Sequence, residues 1–132
     1  DEEHKQVLAW GKVAEGKYDD ALAILRPLAD QDDALGEEPS GIPTREMVAE
    51  VLMIAKRPAE ALAEYETDLK FNPNRFNGLY GAAQAAEAAG KPDQATKYYA
   101  ELVKVCAGSN SDRPELSRAK GLVAASRGQA HR

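Results

Sequence analysis

Apolar residues recur at helical spacing along most of the chain, and the pattern breaks at short segments rich in Gly and Pro. This alternation predicts about seven helices joined by turns, without strands. The second helix contains Pro27, which removes a backbone donor and crowds the preceding helical turn. We therefore expect this helix to kink, or to end by about Ala29.

The helices are also related to one another by a recurring interval. Ala61 and Tyr65 match Ala95 and Tyr99 at one constant offset, whereas the interval from Ala21 to Ala61 is longer by six positions. The extra positions fit best in the acidic stretch 30–43, which has Gly and Pro but no apolar periodicity. We expect a loop insertion there, on the side of the fold where such insertions often serve binding.

Helix boundaries are predicted from capping residues and prolines. Thr44 is a suitable N-cap for the third helix, and Pro58 suits the first turn of the fourth. The fourth helix should stop at Asn72, because proline follows. Asn74 is expected to cap the fifth helix, and Asp112 begins a capping-box pattern for the seventh.

The constant offset, with Gly16 at a turn and Ala21 at a close helix crossing, resembles the tetratricopeptide repeat (TPR). The segments 45–62 and 72–83 are similar to the C-terminal repeat region of bacterial TPR proteins of unassigned function. The resemblance implies an all-α, right-handed solenoid of about three TPR helix pairs and a C-terminal capping helix, forming a single TPR-like domain over residues 1–127. The repeats would span about 2–30, 42–73 and 76–107, with the capping helix at about 112–127 and a frayed tail at 128–132.

Composition narrows the classes of function. The 132 residues suit one domain, and no apolar run is long enough to cross a bilayer. A net charge of −5, with basic residues scattered among carboxylates, argues against a nucleic-acid surface. One cysteine, Cys106, leaves the redox compartment open. The resemblance to bacterial TPR proteins implies a soluble protein of the bacterial cytoplasm or periplasm. The first residue is Asp1, which suits a cleaved signal peptide, a fragment or a trimmed chain.

No catalytic constellation is visible in the sequence. His4 and His131 lie near opposite chain ends, and Cys106 falls on the apolar side of a predicted helix. Phosphate-binding glycine loops are absent. In the acidic stretch, Ala34 and Leu35 occupy positions where a calcium loop needs an acid or amide and a glycine. We expect neither an enzyme nor a cofactor or metal site.

The resemblance does imply a place for a partner, since the first helix of each TPR pair lines the concave side of the superhelix. The matching positions combine aromatic and apolar side chains with acids and amides, although Trp10, Met53 and Tyr80 could equally be core. Glu46 and Glu50, four residues apart on one helix, should form a solvated groove wall. The candidate groove residues are Gln6, Trp10, Val13, Glu46, Glu50, Met53, Asn77, Tyr80, Gln84 and Glu87.

Two functions remain open at this point. The first is a protein–protein interaction module that binds a peptide or partner helix of basic character in the groove. The carboxylate-clamp type of TPR ligand is disfavoured, because Glu46 and Glu50 stand where that groove needs Lys and Asn. The second is a structural or oligomerisation appendage of a larger protein. Such an appendage would expose apolar residues at Val7, Leu8 and Trp10 and could self-associate.

Overall fold

The computed structural model describes residues 2–35, 42–107 and 113–130. Across these ranges the chain forms seven helices and no strand, and each helix packs mainly on its neighbours in sequence. Their bounds are α1 Glu2–Ala14, α2 Tyr18–Leu35, α3 Thr44–Ile54, α4 Pro58–Phe71, α5 Phe76–Ala88, α6 Pro92–Val105 and α7 Pro114–Ala130. The helices pair as α1/α2, α3/α4 and α5/α6, with α7 packed on α6. The fold is an all-α solenoid.

The turn inside each helix pair has the same geometry. Gly16, Lys56 and Gly90 all adopt positive φ, at 77°, 63° and 75°. In each turn, this residue and the next donate backbone hydrogen bonds to carbonyls of the preceding helix, as in Lys17 N to Lys12 O (2.9 Å). This is the Schellman arrangement, which ends a helix by satisfying its last carbonyls. Lys56 differs from the other two turn residues because it carries a side chain, and a side chain at positive φ is strained.

Small residues let the helices approach closely at equivalent places in each pair. Alanines recur at these crossings and are almost completely buried. At the junction between α4 and α5 the approach is closer still, since a Cβ added to Gly81 would overlap the Tyr65 ring. The core is therefore continuous through the stack, as expected of a repeat fold. The recurring alanines are Ala9, Ala49 and Ala83 in the first helices, and Ala21, Ala61 and Ala95 in the second helices.

Helix α2 does not end near Ala29, and our prediction of a kink or early stop at Pro27 was wrong. The helix continues to Leu35. Ala23, whose carbonyl loses its usual partner, lies on the exposed side, where water can replace the missing donor. Beyond Pro27, contacts with the next helix hold the extra turns in place, because Asp33 and Asp30 both accept hydrogen bonds from Arg45.

The predicted loop at 30–43 is consequently shorter than expected. Residues 30–35 are helical, and the insertion at 36–41 lies outside the described residues. At the other end of the chain the backbone is helical to Ala130, and residues 131 and 132 of the predicted tail lie outside the described residues. The predicted capping box at Asp112 also falls outside the described residues.

Two predicted N-caps were wrong, while two predicted boundaries were confirmed. Pro43 and Arg75 occupy the N-cap positions of α3 and α5, without a side-chain capping hydrogen bond. Thr44 is already helical, and its hydroxyl donates to Asp32 of α2. Helix α4 does begin at Pro58, and Asn72 is its C-cap, as predicted.

We predict that Lys56→Gly raises the free energy of unfolding by about 0.5–1 kcal/mol, because glycine adopts positive φ without strain. The reverse change at the equivalent turn, Gly90→Lys, should lower it by a similar amount, since no atom lies within 4 Å of an added Cβ there. Urea denaturation of both variants measures the effect. An unchanged stability in Lys56→Gly would contradict the strain argument.

A second prediction concerns the α4–α5 crossing. Gly81→Ala should destabilise the protein by about 2–3 kcal/mol, because the new methyl group displaces the buried Tyr65 ring. The matched control is Gly11→Ala on α1, where no atom lies within 4 Å of the added Cβ. This control should instead be stabilising, by about 0.5–1 kcal/mol, because alanine favours a helix. Thermal unfolding followed by circular dichroism distinguishes the two.

Candidate functional site

The candidate groove residues occupy equivalent sequence positions in the first helices of the three pairs, and we call each set of equivalent positions a row. Positions that are equivalent in successive repeats have the same place relative to the positive-φ turn that ends each helix. Each row therefore takes one residue from each of α1, α3 and α5. The rows are Gln6, Glu46 and Tyr80; Trp10, Glu50 and Gln84; and Val13, Met53 and Glu87, with Asn77 one helical turn before Tyr80.

Three of these residues come together in one open pocket. Met53 of α3, and Gln84 and Glu87 of α5, line it together with Ala88 and with Arg118 of α7. The pocket has a volume of about 410 Å³, and its walls mix apolar and polar surface. Gln84 and Glu87 are exposed, while Met53 is half-buried. A ligand side chain in this pocket would meet both apolar surface and an amide, an acid and a guanidinium.

Arg118 joins the last helix to the candidate groove. Its Nη1 donates to the Tyr99 hydroxyl at 2.7 Å, and its Nη2 lies 3.2 Å from Glu87 Oε2. The Tyr99 hydroxyl in turn donates to Glu87. Burial, followed by this hydrogen bond to Glu87, raises the pKa of Tyr99 above its ordinary value. The three groups fix the position of α7 relative to α5 and α6.

Tyr80 belongs to an aromatic cluster and is half-buried. Its ring stacks on Phe76 with centroids 6.4 Å apart, and meets the edge of Tyr99 at 6.0 Å. The Arg113 guanidinium lies 4.3 Å from the centroid of the Phe76 ring. Asn77, in contrast, is exposed. Tyr80 thus contributes both to packing and to the surface, so its interpretations as a core residue and as a groove residue are compatible.

The acidic wall expected at Glu46 and Glu50 is only partly exposed to solvent. Glu46 is 1% exposed, and its Oε2 accepts a hydrogen bond of 2.5 Å from Arg75 Nε. Glu50 is half-buried, and burial followed by the charge of Glu46 raises its pKa. The expectation of a fully solvated wall was therefore wrong for Glu46, because the residue serves the contact between α3 and the start of α5.

A third carboxyl group, Asp68 of α4, lies beside this pair. It is 1% exposed, and its Oδ1 accepts a hydrogen bond from Asn72 at 3.1 Å, but Oδ2 has no hydrogen-bond partner. Burial, and then the charge of Glu46, raises the pKa of Asp68 to about 7. A protonated Asp68 can donate from Oδ2 to Glu46, which resolves the repulsion between two buried acids.

The first repeat contributes less clearly to the candidate groove. Gln6 Nε2 lies 3.4 Å from Thr44 Oγ1, and this hydrogen bond links α1 to the start of α3. Gln6 is not among the residues that line the pocket at Arg118. Trp10 and Val13 are partly buried and pack against the core. The structure therefore brings together the second and third repeats at the pocket, and the first repeat's share of the groove stays a prediction.

Sequence reasoning missed two arginines, Arg75 and Arg118. A signal for Arg118 was available, since it follows Gln84 by the same interval that separates Glu50 from Gln84. Because α7 was interpreted only as a capping helix, Arg118 was not predicted to continue the row of Trp10, Glu50 and Gln84. Arg75 had no comparable signal, because its role depends on the burial of Glu46.

Within the described ranges, no group of three His, Cys, Asp or Glu side chains is arranged to hold a metal ion. The same residues include no helix long and apolar enough to cross a membrane.

Comparison with known proteins defines the fold. No protein-family model matches the chain, and no curated protein sequence matches it. Among solved structures, the Yersinia enterocolitica type III secretion translocator chaperone SycD superposes with a TM-score of 0.75 at 15% identity, over 98% of this chain and 86% of SycD. The first TPR domain of human RPAP3 superposes with a TM-score of 0.66 at 16% identity, over 94% and 93%. The chain therefore has a TPR-like fold.

A further solved structure contains a bound partner segment. Pseudomonas aeruginosa PcrH, in complex with the chaperone binding region of PopD, superposes with a TM-score of 0.73 at 18% identity. The match covers 97% of this chain and 92% of PcrH. At this level of identity the likeness establishes the shared fold, and it confirms the predicted resemblance to TPR proteins.

The buried acids lead to a prediction about pH. The pKa of Asp68 rises from 3.8 unfolded to about 7 folded, so this group favours the folded state fully below pH 3.8 and loses its contribution as pH rises through 7. Asp68→Asn mimics the protonated form and lacks this dependence. We expect the unfolding free energy of the wild type to fall, relative to Asp68→Asn, by at least about 1 kcal/mol between pH 4.5 and pH 8.

Urea titrations at several pH values test this prediction. The control is Asp93→Asn, which removes an exposed carboxyl group in the first turn of α6 and is compared with Asp68→Asn at the same pH values. If the wild type and Asp68→Asn have parallel profiles, Asp68 does not hold its proton in the folded protein.

Proposed function

We propose that the protein is a non-catalytic interaction module that binds a peptide or partner helix across the first helices of its repeats. The observation that carries this proposal is the open pocket shared by α3, α5 and α7, where Met53, Gln84 and Arg118 meet. Side chains from three separate helices line one surface, which suits a ligand that runs along the stack. The remaining candidate groove residues would extend this surface toward α1.

The solved structure of PcrH with the chaperone binding region of PopD supports a protein ligand. In that complex a protein with this fold is bound to a segment of a partner protein. The likeness is structural, at 18% identity, so it supports the class of ligand and leaves the residues to be argued from this chain.

The charges around α3 favour a ligand with basic residues. Glu50 is half-buried near the fully buried Glu46, and Arg75 is bound to Glu46. A Lys or Arg side chain of the ligand near Glu50 would offset the repulsion that, with burial, raises the Glu50 pKa. The Arg118 guanidinium is already bound to Glu87 and Tyr99, which moderates the negative charge at the pocket.

An alternative is a structural or oligomerisation role without a separate ligand. The observation in its favour is the exposure of two large apolar residues on α1, Val7 at 69% and Leu8 at 49%. Adjacent exposed apolar residues can form part of a contact surface between proteins. One solved structure of SycD is described as an alternative dimer, so self-association has a precedent in this fold.

The test is a selection of random 16-residue peptides on the immobilised protein, followed by fluorescence anisotropy with the enriched peptides. We expect sequences that combine an apolar residue with Lys or Arg. Gln84→Arg should weaken their binding by about tenfold or more, because a long cation at the pocket excludes the ligand and repels its charge.

The matched control is Gln94→Arg, at an exposed position of α6 away from the pocket, which should bind as the wild type does. Both variants change exposed residues, so circular dichroism should show unchanged helicity. If no peptide is enriched, or if the two variants bind equally well, the pocket is not the binding site and the alternative is favoured.

A further inference from the structure

The exposed face of α1 is the face that neighbouring helices cover in the later repeats. Val7 occupies the same place relative to its turn as Gly81, which lies directly against Tyr65 of α4, the helix that precedes α5. Leu8 corresponds to Val48 and to Ala82, which are both 0% exposed. In α1 the side chains of Val7 and Leu8 instead reach solvent. In the later repeats the second helix of the preceding pair packs on this face.

The α2–α3 junction indicates the chemistry of a helix that could cover this face. Arg45 of α3 is 8% exposed and binds acids from the end of α2, with Nη2 at 2.5 Å from Asp30 and 2.8 Å from Asp33. Thr44 donates to Asp32 on the same helix. A helix that covers α3 thus presents apolar residues at its centre and carboxylates at its C-terminal end.

The equivalent positions on α1 repeat this chemistry without a partner helix. Lys5 corresponds to Arg45, and it is exposed. His4 corresponds to Thr44 and is also exposed, and Leu8 follows one turn after His4. A cation therefore lies next to an apolar patch, at the spacing with which α3 receives α2.

We propose that the surface formed by Lys5, Val7 and Leu8 docks an acidic amphipathic helix of a partner protein. The partner helix places apolar side chains over Val7 and Leu8, and carboxylates near its C-terminal end on Lys5. This site lies on the end of the solenoid, and it is separate from the pocket at Gln84 and Arg118. Docking there continues the stack by one helix, in the way that α2 continues onto α3.

The probe is a fluorescently labelled synthetic peptide with the sequence of residues 18–35, because α2 already covers the equivalent surface of α3. Fluorescence anisotropy with the full chain should show saturable binding that weakens with added salt. Lys5→Glu and Leu8→Glu should each weaken it by about tenfold or more. A peptide with Asn at the positions of Asp30, Asp32 and Asp33 should bind less tightly than the original.

The matched control is Lys104→Glu, which makes the same charge change at an exposed position of α6. It should bind the peptide as the wild type does. All three variants change exposed residues, and circular dichroism checks their helicity. A loss of binding in Gln84→Arg but not in Lys5→Glu would place the peptide in the pocket, and would overturn this proposal without affecting the proposed function.

Two other outcomes also overturn the proposal. One is the absence of saturable binding to the wild type, or binding that Lys5→Glu leaves unchanged. The second is measured by analytical ultracentrifugation. It is the combination of a wild type that dimerises without peptide, a monomeric Leu8→Glu variant and a peptide that does not compete with dimerisation. In that case a second copy of the chain covers this surface.

Discussion

The structure depends on the close crossing of helices at small residues. Alanine or glycine recurs where two helices approach, and the clearest case is Gly81, which leaves just enough room for the Tyr65 ring. The crossings recur at a regular interval, and Met53 and Glu87, one repeat apart in sequence, line the same pocket. The rows of the candidate groove, the pocket at Arg118 and the exposed face of α1 all follow from this regular stacking.

Buried charges occupy the two junctions between pairs, and they differ in kind. At the first junction Arg45 binds Asp30, Asp33 and Glu64. At the second junction Arg75 binds Glu46, and Asp68 lies beside that carboxylate. Burying ions costs desolvation energy, so such groups contribute little net stability. They are better understood as setting the alignment of one pair on the next, since Arg45 and Arg75 meet their carboxylates only when the helices are in this register.

The sequence was sufficient for features that local chemistry decides. The turns at Gly16 and Gly90, the start at Pro58 and the stop at Asn72 all follow from backbone preferences. The sequence was insufficient where contacts between helices determine the local structure. Helix α2 continues past Pro27 because Arg45 binds its last turns, and Thr44 contacts Asp32 instead of capping its own helix. For the candidate site, the rows followed from the repeat period, but the burial of Glu46 depends on packing that no local pattern encodes.

The hydrogen bonds from Arg118 to Glu87 and Tyr99 oppose local unfolding of α7 at the C-terminal end of the stack. In a repeat protein the terminal helices unfold locally before the central ones, because each terminal helix contacts only one neighbouring helix. Here α7 is bound to both helices of the third pair, and the pocket beside it also includes Met53 of the second pair. A molecule held in that pocket would therefore bridge three helices, and occupancy would slow amide hydrogen exchange at the C-terminal end of the chain.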